Sequence, residues 1–249
     1  FRKFPTCLIH LHPMSLESTL VPWLLRVHVT AGSIALFVAP MAMLAHKGGD
    51  WHRRWGKVFF YGMIAVCATA VVLAVLHPAK LWLALVSVFS FYLVATGYRS
   101  LHLKQMHKGL RPAGLDLALH GVAGVVSAGL LIWGLSHLLL GRVNPQAAIF
   151  AAFGLIGTAM VLTGVLRFYK QRHDKRGWLF RHIAGFIGGY IATLSAFSAV
   201  NLTMIKPEWL QWAWPSMVGI PLIAVWTWRL KRRFAHGEKL RNFADVRIK

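Results

Sequence analysis

Trp55-Gly-Lys-Val-Phe-Phe-Tyr-Gly-Met-Ile-Ala-Val-Cys-Ala-Thr-Ala-Val-Val-Leu-Ala-Val-Leu76 decides the class of fold. Beyond Lys57 it carries no charge as far as Leu76. A helix of about 20 apolar residues is what a bilayer core of about 30 Å requires. Apolar and polar residues do not alternate along it, so it does not read as a strand of a membrane barrel. Working outward, Lys47, Arg53 and Arg54 precede the stretch and Pro78 follows it.

The same layout recurs along the chain. Apolar stretches run over Leu20–Ala45, Trp55–Leu76, Leu81–His102, Leu115–Leu140, Ala147–Tyr169, Trp178–Leu202 and Trp212–Arg229. Breakers and charges separate them: Lys47-Gly-Gly-Asp50, Pro78, Pro112, Asn144-Pro145 and Pro207. Apolar residues make up 57% of the 249 and charged residues only 14%, too few for the charged skin of a soluble domain. The expectation is an all-α, polytopic integral membrane protein with seven transmembrane helices. Residues 20–234 form that domain, 1–19 an N-terminal extension and 235–249 a basic cytoplasmic tail. Within the extension, Met14-Ser-Leu-Glu17 reads as a natural start.

A net charge of +21 raises the question of nucleic acid, but the positions of the charges answer it. Lys and Arg sit in short clusters between apolar stretches, as in loops facing anionic lipid. Lys47, Arg53, Arg54 and Lys57 lie in the first connection, Lys104, Lys108 and Arg111 in the third. Lys170, Arg172, Lys175 and Arg176 lie in the fifth, and Lys231, Arg232 and Arg233 follow the last stretch. The alternate connections hold little more than Lys80, Arg142 and Lys206. Positive loops stay inside, which puts the N-terminus outside and the C-terminus in the cytoplasm. The expected partners are therefore a bilayer and its anionic lipids, not nucleic acid.

None of the acidic residues falls in the middle of a stretch, and Asp116 sits at a cytoplasmic edge. That weighs against a cation-coupled carrier, which places carboxylates near the midplane. The polar residue that remains is histidine, with thirteen copies. Imidazole in lipid is costly unless it is bonded or bound to metal, and neutral imidazole is a good ligand for haem iron. His120 and His182 each lie about one turn inside the cytoplasmic boundary, at the matching depth two axial ligands need. His28, with His137 and His77 nearer the surface, forms an outer group. Gly124 follows His120 by four residues and Gly185 follows His182 by three, so each glycine shares its histidine's face. A bare face there would admit a flat macrocycle, although small residues on one face are also how membrane helices pack. His52, His107, His173 and His236 read as solvated loop histidines.

His28-Val-Thr-Ala-Gly-Ser-Ile-Ala-Leu-Phe-Val-Ala-Pro40, then His52-Arg-Arg-Trp-Gly-Lys-Val-Phe-Phe-Tyr61, resembles a family of bacterial membrane proteins carrying domain of unknown function 2306. Arg181-His182-Ile-Ala-Gly-Phe-Ile-Gly-Gly-Tyr190 and its continuation to Asn201 is similar to the sixth helix of seven-helix relatives. The resemblance covers about a third of the chain. It implies a bacterial inner-membrane location and draws His28, His52 and His182 together as residues of interest. His52-Arg53-Arg54 reads either as a basic anchor or as a group for an anionic headgroup, a haem propionate or a quinone.

The leading functional expectation is a b-type haem-binding electron-transfer protein, as the membrane subunit of a redox assembly or with a separate redox partner. Its candidate metal ligands are His120, His182 and His28, with haem b as cofactor and a quinone as the alternative. Two other classes stay open: a non-redox lipid- or pigment-binding assembly protein with structural histidines, and a small-molecule carrier. The topology has a direct test. Reporter fusions at Gly48, Lys108, Lys175 and Lys249 should all report the cytoplasm, and a periplasmic signal from any of them would break the seven-span scheme.

Overall fold

A computed structural model describes residues 16–77, 81–142, 144–170 and 172–236. Cys7, the start at Met14 and the tail beyond residue 236 lie outside the described residues. Within them the chain is all-α. Its seven α-helices are α1 (Leu16–Leu44), α2 (Asp50–Leu76), α3 (Leu81–Arg99), α4 (Gly114–Leu139), α5 (Pro145–Phe168), α6 (Gly177–Asn201) and α7 (Glu208–Ala235), with a 3₁₀ turn at Met106–Lys108.

Five of these helices, α1, α2, α4, α5 and α6, are long and apolar enough to cross a membrane. The outward faces agree with that. Phe37 is 71% exposed, Val125 77% and Leu139 85%, while Asp116, Ser127, Ser195 and Ser198 are buried. A soluble monomer does not display apolar faces of this extent. Lipid is the solvent that makes the arrangement favourable, and the protein is a multi-pass membrane protein.

The helix boundaries follow local chemistry. Asn144 caps α5 by accepting from the Ala147 N–H at 2.7 Å, and Pro145 opens the helix where its missing N–H costs nothing. The start of α2 departs from the hydropathy reading. Gly48 turns the chain at φ 80°, Gly49 caps in extended geometry, and Asp50 occupies the first turn, where a carboxylate suits the positive end of a helix. The helix therefore begins at Asp50 rather than near Trp55, and His52 stands inside it.

α3 is the centre of the bundle. It packs against α2, α4 and α6, and Val94, Ala95, Tyr92 and Leu93 on it are almost fully buried. α1 pairs with α2, α4 with α5, and α7 with α6. Small residues set these distances. A Cβ on Gly154 would come 2.3 Å from the Leu131 nitrogen, and one on Gly134 would come 2.4 Å from the Ala151 nitrogen. Backbone meets backbone there, which is how helices gain dispersion contacts when lipid offers no hydrophobic drive. Gly129 on α4 meets nothing within 4 Å.

Gly154→Ala should therefore destabilise the α4–α5 pair by about 1–3 kcal/mol through overpacking. Gly129→Ala should be neutral or slightly stabilising. Thermal unfolding in mild detergent, followed by circular dichroism, would show the contrast; equal melting temperatures would refute the tight α4–α5 contact.

Candidate functional site

Near the basic ends of the helices, α1, α2, α3, α6 and α7 surround a cavity of about 830 Å³. That is within the range of about 300–1,000 Å³ typical of small-molecule and cofactor sites. Its walls include Phe59 of α2, Tyr98 of α3, Trp178, Phe186 and Tyr190 of α6, and Trp226 of α7. His52 and His182 both line it.

These two imidazoles face one another with ring centres 6.1 Å apart and planes at 75°. His52 Nδ1 lies 2.8 Å from the Ala42 carbonyl oxygen. A carbonyl can only accept, so Nδ1 carries the proton and Nε2 is left as a lone pair. His182 Nδ1 makes the same kind of contact, longer at 3.4 Å, to the Gly97 carbonyl. An Nδ1–H held by a backbone carbonyl is also the arrangement that orients a histidine ligating metal through Nε2. Phe186 packs on the His182 ring at 4.7 Å and fixes its tilt.

Cations gather on the same walls. Lys47, Arg53, Arg54, Lys57 and Arg233 line the cavity, against Asp50 as the carboxylate, and Asp50 accepts a hydrogen bond from Arg53. Lys47 donates to the Met43 and Ala45 carbonyls at the end of α1 and sits 5.7 Å from the Trp226 ring centre. Burial lowers the Lys47 pKa from its ordinary value.

His120, expected beside His182, is not brought to it. α3 stands between α4 and α6, and each histidine packs on a different part of it. His120 Nδ1 donates to the Asp116 carbonyl at 2.7 Å on its own helix. Its ring is enclosed by Tyr92 at 5.4 Å and Phe168 at 5.0 Å, and a Cβ on Gly164 would come 2.4 Å from its Nε2. Gly164 is thus the space the ring fills.

The two glycines expected to border a macrocycle also face elsewhere. A Cβ on Gly185 would come 2.6 Å from Gly97 Cα and from the Leu93 carbonyl, so that face is filled by α3. Gly124 faces Val161 of α5. The outer histidines are met locally. His28 Nδ1 lies 2.9 Å from Thr69 Oγ1 between α1 and α2, and the Thr69 hydroxyl donates onward to the Ala65 carbonyl. His137 reaches the Trp133 carbonyl at 3.1 Å and stacks on that indole. His107 and His236 contact carbonyls of Lys104 and Arg232 within their own turns.

His52 is the reversal. The loop reading fails because α2 starts at Asp50, which carries the imidazole onto the inner side of a helix. The sequence does hold a signal for it: Asp at position 50 after two glycines is a helix start.

A second polar feature escaped the sequence altogether. Arg99 at the end of α3 binds both oxygens of Asp116 at the start of α4, at 2.7 and 2.9 Å. Asp116 also accepts from the Ala113 N–H at 2.8 Å, so one carboxylate caps α4 and ties it to α3. The partners are 17 residues apart and only the fold makes them neighbours.

Among the described residues, no group of three or more His, Cys, Asp or Glu side chains could hold a metal ion. No family model, curated protein or solved structure matches the chain.

The Arg99–Asp116 pair predicts a double-mutant result. Asp116→Asn leaves a mostly buried guanidinium unpaired and should cost about 2–4 kcal/mol. Adding Arg99→Gln should restore part of that loss. Unfolding in mild detergent measures both, and purely additive effects would show that the pair does not couple α3 to α4.

Proposed function

We propose that the chain is a b-type haem-binding membrane protein for electron transfer, with the cavity between α2 and α6 as its cofactor site. The observation that carries the reading is the pair of imidazoles, His52 and His182, across one cavity, with Nδ1 of each toward a backbone carbonyl. The donor set fits haem in number. Three histidines line the cavity, but His102 packs beside Tyr98 and only His52 and His182 are paired across it, where a closed protein site for a bare ion usually needs about four ligands. An ion that arrives with its own macrocycle needs two from the protein.

In this reading His52 and His182 would hold the haem iron, replacing the expected pairing of His120 with His182. Ala42 and Gly97 carbonyls hold the tautomer and orientation of the rings. Phe59, Phe186 and Tyr190 exclude water. Bound haem would supply reversible one-electron chemistry, and the low polarity of the walls would tune its potential. A lone pair on Nε2 can bind a metal directly, whereas it could meet a quinone only in its reduced form, by accepting from a quinol hydroxyl.

The reading carries a topology with it: seven spans including α3 and α7, the basic connections and the cavity mouth at the cytoplasmic face of a bacterial inner membrane. It also keeps the resemblance of the blocks at His28–Pro40 and His52–Tyr61 to the family carrying domain of unknown function 2306, and that of the block holding His182 to the sixth helix of seven-helix relatives.

The test is a reduced-minus-oxidised visible spectrum of the purified protein, normalised to folded protein. The wild type should show a bis-imidazole haem signal. His52→Ala and His182→Ala should each abolish it, and His137→Ala should leave it intact. Absence of the signal after haem reconstitution would sink the cytochrome reading, and loss on His120→Ala alone would move the ligand to α4.

A further inference from the structure

The cavity is amphipathic along its depth. His52 and Arg54 lie in the first turns of α2, while Phe59 lies seven residues beyond His52, about 10 Å deeper at the helical rise. On α6, Ile187 and Tyr190 continue the apolar side beyond His182. At the shallow end Lys47, Arg54 and Arg233 come from three different segments, the α1–α2 connection, α2 and α7, and line one space. The lining carboxylate, Asp50, is already engaged with Arg53. Anchoring at a membrane surface explains why cations lie at this level; their place on the rim of an apolar cavity also offers an amphiphile a charged mouth and an apolar interior together. Cations outnumber carboxylates on this lining, and the positive potential of such a mouth favours an anion.

We propose that this cavity selects an anionic amphiphile and orients it, with its acidic groups held by Lys47, Arg54 and Arg233 and its apolar body against Phe59 and Ile187. The proposal rests on the cavity being the ligand site of the preceding section, but not on iron ligation. For a haem it means that the carboxylate edge faces the shallow end. The same chemistry would take the headgroup of an anionic lipid.

Metal-free protoporphyrin IX is the probe, because it has the two carboxylates and the apolar ring but no iron for an imidazole to bind. Binding to the full chain in nanodiscs is followed by porphyrin fluorescence, against empty nanodiscs. The free acid should bind about tenfold or more tightly than its dimethyl ester, as expected for at least one charge-assisted contact. Arg54→Gln/Arg233→Gln should remove most of that preference and leave the ester unchanged, whereas Lys170→Gln in the connection after α5 should alter neither. Equal affinity for acid and ester in the wild type would overturn the proposal, as would equal weakening of both in the double variant.

Running the acid in zwitterionic and in phosphatidylglycerol nanodiscs separates the sources. Displacement by the anionic lipid assigns the anion site to a headgroup, and undiminished binding assigns it to a cofactor's carboxylates. Either supports recognition of an anion. A chain that prefers the acid but gives no haem spectrum would retain this inference and lose the cytochrome reading, and the reverse result would do the opposite.

Discussion

Everything about the site depends on two glycines touching. Gly97 of α3 and Gly185 of α6 meet with no side chain between them, and Gly189 seats Val94 one turn further on. Because the backbones are this close, the Gly97 carbonyl comes within reach of His182, one turn before Gly185 on the same helix. A methyl group at either glycine would push α6 outward, since the atoms it would strike are backbone. The contact that reads as a packing motif is therefore also what holds the imidazole in place.

α3 then works as a partition. On one side it presents Tyr98 to the cavity and the Gly97 carbonyl to His182, and on another Tyr92 to His120. The two histidines near the basic ends of α4 and α6 do not share a compartment. Each solves the problem of polar nitrogen in lipid differently. His120 bonds a carbonyl of its own helix and is sealed by aromatic rings; His52 and His182 bond backbone carbonyls of other segments and line the cavity. That contrast separates the structural histidine from the candidate ligands better than depth does.

The Arg99–Asp116 pair shows the same economy on the other face of α3. One buried carboxylate satisfies a guanidinium and an orphan helix N–H together, which offsets the cost of desolvating both charges. It also fixes where α4 begins, and so where His120 falls. The glycines of the α4–α5 pair finish the job by letting the ring sit against bare backbone at Gly164.

How much of this was legible beforehand follows from what each signal measures. Hydropathy is a local sum, so the sequence by itself determined the seven apolar stretches, the membrane class and the breakers at Asn144-Pro145, and it drew attention to His182 and the glycines near it. It could not determine which way each helix turns. Successive residues are about 100° apart around a helix, so moving the start of α2 from Trp55 to Asp50 is enough to decide whether His52 is a loop residue or a wall of the cavity. Depth placed His120 beside His182, but depth says nothing about what stands between two helices. Only the tertiary structure decided that α3 does, that Arg99 meets Asp116, and that cations from three segments converge, because each depends on contacts between residues far apart in the chain.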